Sequence, residues 1–148
     1  MLKERISADL RQAQKSGDKA RMTVLRLVVA GIKNAEIDKR AVLDDAGVIE
    51  VLTREAKQHR ESITEFAKGK RQDLVDRNEE ELAILMEYLP QQMSREEIRS
   101  LARQVIEQVG ARGPAEKGKV MGQLMPQVKG KADGQVVNEA VTELLAGM

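Results

Sequence analysis

The chain has 148 residues, with 25 Lys+Arg against 24 Asp+Glu and a formal net charge of +1. Charge this close to cancelling argues against a strongly basic nucleic-acid binder and against an acidic disordered tail. Cysteine is absent, which removes disulfides, thiolate metal sites and a thiol nucleophile together, and the aromatics are one Phe and one Tyr, too few for a base-stacking platform.

No run of about 18 apolar residues occurs. The N-terminal stretch MLKERISADL is charged throughout. No membrane span, signal peptide or lipid anchor is therefore expected, and the composition reads as a cytoplasmic, all-α protein. Residues 2–15 form the first predicted helix, with Leu2, Ile6, Leu10 and Ala13 on one face. Ser16-Gly17-Asp18 breaks it, and Asp18 suits the N-cap of the next. The second helix is predicted over 19–40, with Met22, Val24, Leu25, Leu27, Val28, Val29 and Ile32 covering more than half its circumference, as at the centre of a bundle.

Asp44-Asp45 opens a third helix over 45–68, carrying Val48, Leu52, Ala56, Ile63 and Phe66 and ending at Gly69. A fourth, over 72–88, carries Leu74, Val75, Leu82, Leu85 and Met86, and Leu89-Pro90 closes this half because the residue before proline avoids the helical region. Ser94-Arg95-Glu96-Glu97 has capping-box spacing and precedes Ile98, Leu101, Val105, Ile106 and Val109, with Gly110 placed to end the helix. A helix over 115–128 carries Met121, Leu124, Met125 and Val128, with Pro126 in its last turn, and a final helix over 134–146 starts after Asp133. The expected architecture is an N-terminal four-helix bundle over 1–90 followed by a C-terminal three-helix bundle over 91–148.

Catalytic constellations are missing. Gly113 to Lys119 has the spacing of a phosphate-binding loop, but Val120 stands where a magnesium-binding Ser or Thr is required, and no strand precedes it. His59, the only histidine, falls on the apolar side of the third helix and reads as a packed ring with its hydrogen bonds satisfied; alone, without cysteine, it cannot make a zinc site. Glu79-Glu80-Glu81 and Asp44-Asp45 read as solvated charge runs rather than paired acid-base carboxylates. No metal, cofactor or catalytic residue is expected.

Charge is unevenly spread. Residues 1–40 sum to +5, residues 41–90 to −5, residues 91–111 to zero and residues 112–148 to +1. Lys19, Arg26, Lys33 and Arg40 recur at seven-residue steps and form one slowly turning stripe on the second helix. Lys117, Lys119, Lys129 and Lys131 dominate residues 112–131, and Lys129-Gly130-Lys131 joins the last two helices. Ammonium groups around a glycine turn can approach a sugar-phosphate backbone. The plainer alternatives are a solvent edge for the stripe and compensation of a helix C-terminal dipole for the turn.

Gly118-Lys119-Val120-Met121-Gly122, followed by Leu124-Met125-Pro126-x-Val128-Lys129-Gly130-Lys131-Ala132-Asp133-Gly134 and Val137-Asn138, resembles the tail motif of the GatB/YqeY family. Leu25-Arg26-Leu27, Ile32-Lys33-Asn34, Lys57-Gln58, Arg71-x-Asp73-Leu74 and the run from Glu81 to Pro90 extend the resemblance over nearly the whole chain, closest to the stand-alone YqeY-like proteins. The resemblance implies an all-helical module shared with the C-terminal region of the B subunit of tRNA-dependent amidotransferases. There it contacts tRNA while amidation sits in a preceding catalytic domain. Similar modules assist tRNA binding in some glutaminyl-tRNA synthetases. The carbon–nitrogen ligase label attached to the family, with glutamine as amido-N-donor, then implies association with that pathway, since no counterpart of the catalytic domain is found here.

Within the motif, Gly118 and Gly122 sit one turn apart and are expected to let a neighbouring helix approach, with Met121 and Met125 filling the contact. Gly130 supplies a left-handed turn and Asp133 caps the last helix, so the lysines rather than the helix dipole are expected to meet phosphates. The candidate RNA-binding residues are Lys119, Lys129, Lys131, Lys117, Arg26 and Lys33; Gly118, Gly122, Gly130 and Asp133 shape the motif. The expected partner is tRNA or another structured RNA, with no DNA and no membrane. The alternative is an adaptor that docks an aminoacyl-tRNA synthetase or an amidotransferase through the second helix or a Met-bearing surface of the tail.

Overall fold

The computed structural model describes residues 1–148 and is all-α, with seven helices and no strands. The helices are α1 (Leu2–Ser16), α2 (Lys19–Lys39), α3 (Asp45–Lys68), α4 (Gln72–Met86), α5 (Arg95–Val109), α6 (Lys117–Val128) and α7 (Gly134–Ala146), and a 3-10 turn, Pro114–Glu116, precedes α6. None is long and apolar enough to cross a membrane. The chain divides into two compact units, Met1–Leu89 and Pro90–Met148.

Local chemistry accounts for the helix ends. Asp18 and Asp44 accept from the amides of Arg21 (3.1 Å) and Gly47 (2.9 Å), each satisfying a donor the first helical turn leaves open. Gly17 and Gly110 close α1 and α5 in the left-handed region, at φ +75° and +69°. Helix α2 stops at Lys39, one residue early, because Arg40 turns left-handed at φ +52°. After α3 the left-handed residue is Lys70 (φ +57°) rather than Gly69. The Ser94 box forms by half: Ser94 Oγ accepts from the Glu97 amide at 3.1 Å, but the Glu97 carboxylate takes the serine hydroxyl (3.2 Å) instead of reaching the Ser94 amide. The residues before Lys117 wind as 3-10 turn, not α-helix, with Glu116 accepting from the Arg112 amide.

In the first unit, Ile6, Val24, Leu25, Val28, Ile32, Val48, Leu52, Ala56 and Leu85 form the core. Helix α2 touches α1, α3 and α4, as its long apolar run suggests, yet Leu27 remains outside on its outward face. The close approach of α2 to α3 falls at Gly31, where a Cβ would lie 2.9 Å from Val51 Cγ1. Polar links join the elements. Glu36 takes Lys3 Nζ (2.8 Å) and the Leu43 amide (2.9 Å), fastening α1 and the turn after α2 to one carboxylate; the lysine, then the amide, lowers its pKa.

Two further links involve buried side chains. Glu81 is not on a solvated face: it lies buried with His59, Oε2 to Nε2 at 3.1 Å, while the exposed Arg77 reaches its other oxygen at 3.6 Å. His59 Nδ1 contacts the Glu55 carbonyl at 2.8 Å. A carbonyl only accepts, so Nδ1 carries a proton, and the Nε2–Oε2 contact is a hydrogen bond only if a second proton lies on it. Near the end of the unit, Tyr88 Oη donates to Asp9 Oδ2 at 2.6 Å, and the Arg5 guanidinium lies 4.8 Å from the ring centroid. In the second unit, α5, α6 and α7 pack around Ile98, Ala102, Val105, Val120, Leu124, Val128, Val137, Val141 and Leu145.

These links make two predictions. Burial, with Asp9 adding to it, pushes the Tyr88 phenol from 10.0 up to about 12. The folded value lies above the unfolded one, so this contribution to stability is full below about pH 10 and is lost as pH rises to about 12. With one tyrosine and no tryptophan, absorbance at the phenolate band should report a single transition near pH 12, and a native-state midpoint near 10 would refute the buried, Asp9-bonded phenol. Glu81→Ala strands His59 and should lower stability in urea unfolding by about 3 kcal/mol, whereas the double change His59→Leu with Glu81→Leu should recover most of it.

Candidate functional site

The bend between α6 and α7 has a specific construction. Val128 O accepts from the amides of Lys131 (2.8 Å) and Ala132 (3.1 Å), reversing the chain as the helix ends. Gly130 sits at φ +77°, a conformation that side-chain-bearing residues rarely adopt. Its carbonyl accepts from Gln92 Nε2 at 2.9 Å, and the same amide also donates to Pro90 O at 2.7 Å. Lys131 O accepts from the Met93 amide at 2.8 Å. Gly130 is thereby buried, while Lys129 and Lys131 are exposed on either side of it. Asp133 Oδ1 accepts from the Gln135 amide at 2.9 Å, so α7 begins with its own side-chain cap rather than an open anion site.

Beside the bend lies a groove of about 470 Å³, lined by Gln91, Met93, Glu97, Leu101, Gln127 and Lys131 among others. No sequence signal pointed to Gln92 or Met93. A glutamine between two helices has no periodic signature, and its partner lies 38 residues away.

The structure brings together only some of the candidate residues. Lys129, Gly130, Lys131 and Asp133 form one feature. Lys117 and Lys119 sit at the other end of α6, and ten residues of helix separate Lys119 from Lys129 by about 15 Å. Lys119 also lies 4.0 Å from Glu116, a weak pairing on an exposed side chain. Arg26 and Lys33 belong to α2 in the first unit, both exposed.

Gly118 and Gly122 do not admit a neighbouring helix. A Cβ built on either meets nothing within 4 Å, because both glycines lie on the solvent side of α6. Met121 and Met125 lie elsewhere on the helix and pack against the core; Met125 Cε would be 3.6 Å from a Cβ on Gly134. No group of three or more His, Asp or Glu side chains converges as a metal site.

The profile of the family described as Yqey-like protein matches residues 3–145. The chain belongs to the YqeY-like family. Among its relatives are proteins named "Altered inheritance of mitochondria protein 41, mitochondrial". The one from Pyrenophora tritici-repentis is 29% identical over 144 residues, spanning 95% of this chain and 79% of the relative. Those from Lachancea thermotolerans and Kluyveromyces lactis are each 38% identical, over 58% and 68% of this chain. These two matches span about half of the relatives' own length, 46% and 56%. The mitochondrial names overturn the expectation of a cytoplasmic protein. Absent cysteine and absent apolar runs describe how a chain folds and carry no address.

The open space over Gly122 makes a prediction for this YqeY-like chain. An alanine there should gain about 1 kcal/mol from helix propensity alone. Gly122→Ala should raise the thermal midpoint, and a fall would show that the glycine serves a packing contact.

Proposed function

We propose that the chain is an accessory module, a four-helix bundle followed by a three-helix bundle, that holds tRNA or another structured RNA at the α6–α7 bend. It works beside amidotransferase-type chemistry and carries no catalytic step of its own. The observation that supports this reading is the pinned bend. Gln92 and Met93 hold the backbone of Gly130 and Lys131 from within the unit, so two exposed ammonium groups are carried on a fixed turn rather than on a flexible loop. Fixed placement lowers the ordering cost of each phosphate contact.

With one phenylalanine and one tyrosine, the latter buried, contact with bases by stacking has no platform, and recognition follows backbone and shape. Lys117 and Lys119, about 15 Å away along α6, extend the contact to a further phosphate rather than joining the first. Asp133, holding the α7 amide, leaves the positive role to the lysines.

Lys129→Glu with Lys131→Glu should weaken binding of a bulk tRNA pool in a gel-shift assay. It should also flatten the slope of log K against log salt by about 1.5, two phosphates' worth. Both side chains are exposed, so the unfolding midpoint should hold. Unchanged tRNA binding in the double variant would refute the assignment.

A further inference from the structure

Apart from the terminal methionines, the large hydrophobic side chains exposed on this protein are three: Leu27 (48%), Ile37 (72%) and Val42 (81%). Two lie on α2 and the third in the turn that follows it. At about 100° per residue, Lys19, Thr23, Arg26, Leu27, Ala30, Lys33, Asn34 and Ile37 fall within one outward sector of about 120°. The opposite face carries Val24, Leu25, Val28 and Ile32 in the core. The outward sector is thus a second, shorter apolar ridge, Leu27–Ala30–Ile37, bordered along one edge by cations.

Those cations are distinctive in their pairing. Arg21 and Lys39, which lie outside the sector, reach Glu87 (2.9 Å) and Glu50 (3.4 Å). Lys19, Arg26 and Lys33 within it, and Arg40 after it, have no carboxylate at ion-pair distance. On the same helix Glu36 is taken up by Lys3 and the Leu43 amide, and Asp38 lies beyond the opposite, Leu27 edge of the sector. A solvent edge of a helix needs neither exposed Leu and Ile nor a one-signed row of cations.

We propose that the outward face of α2 is a docking surface for an acidic amphipathic helix of a partner protein. Charge complementarity sets the sign of the partner: Lys19, Arg26, Lys33 and Arg40, one stripe along one edge, call for Glu or Asp along the facing flank of the docking helix. Leu27 and Ile37 call for apolar residues at i, i+3, i+4 and i+7 along its centre. Ala30, between them and next to Leu27's turn, lets the two backbones approach at the 8–10 Å typical of packed helices. Helix α2 offers a surface about 30 Å long. An RNA would use the cations, but its phosphates gain nothing from Leu27 and Ile37, so the apolar ridge favours protein.

The test uses the full chain with a benzophenone amino acid in place of Ala30, photo-crosslinked in its native cells, with the adduct digested and sequenced. The expected adduct is a protein segment of net negative charge with apolar residues at helical spacing. Arg26→Glu with Lys33→Glu should reduce its yield about tenfold, as should Leu27→Ser with Ile37→Ser, since each removes one half of the complementarity. Lys129→Glu with Lys131→Glu should leave the yield unchanged, which separates this surface from the proposed RNA contact. The four α2 positions are exposed, so unfolding midpoints should stay at the parent value and confirm that each variant is folded. The proposal is overturned by an adduct that ribonuclease removes, by one mapping to a neutral or basic segment, by a yield indifferent to either α2 pair, or by no adduct at all.

Discussion

A chain with one phenylalanine and one tyrosine has to close its cores with aliphatic side chains, and much of the construction follows from that. Ile6, Leu25, Leu52 and Leu85 in the first unit, and Leu124 and Leu145 in the second, are the largest fully buried groups. Each such side chain is worth about 1.5–3 kcal/mol on burial. Units of this size keep a large fraction of their surface, so the apolar gain stays modest. The helices and their connections are then fastened to one another by polar groups: Glu36 between Lys3 and the Leu43 amide, Tyr88 on Asp9, His59 on Glu81, Gln92 on two carbonyls. No buried side-chain polar atom lacks a partner.

The same economy separates two kinds of surface. At the α6–α7 bend the backbone is locked and the exposed groups are lysines without large apolar neighbours on the turn itself. That combination suits a polyanion, which is met at points along its backbone. On α2 the cations alternate with leucine and isoleucine, and the helix behind them is anchored by its buried stripe. That combination suits a second protein helix, which can bury the apolar ridge as well as neutralise the cationic edge beside it. The +5 and −5 of the first two segments conceal this difference, because a segment sum does not say which charges are already paired.

Much of the fold was legible in advance. Seven helices were readable from apolar spacing and from Asp18, Asp44, Ser94 and Asp133, because caps and periodicity are properties of neighbours within about four residues. The candidate site was legible in part. Gly130 and Asp133 play the parts their residue types suggested, since a left-handed turn and an N-cap are local demands. Gly118 and Gly122 misled: a small residue on a helix allows close packing, but whether any helix comes there is a matter of arrangement. Glu81 misled likewise, since within Glu79-Glu80-Glu81 only the turn of α4 against α3 selects which carboxylate goes inside.

What the order of residues determined by itself was the class, the helix boundaries to within a residue or two, and the types of side chain at the bend. Tertiary structure alone decided that Gln92 holds Gly130 across 38 residues, that His59 meets Glu81 across 22, and that Leu27 and Ile37 face outward while Leu25 and Ile32 face in. The physical reason is range. Capping and periodicity act between near neighbours, whereas burial and pairing depend on which distant surface arrives, and a single chain carries no local record of that.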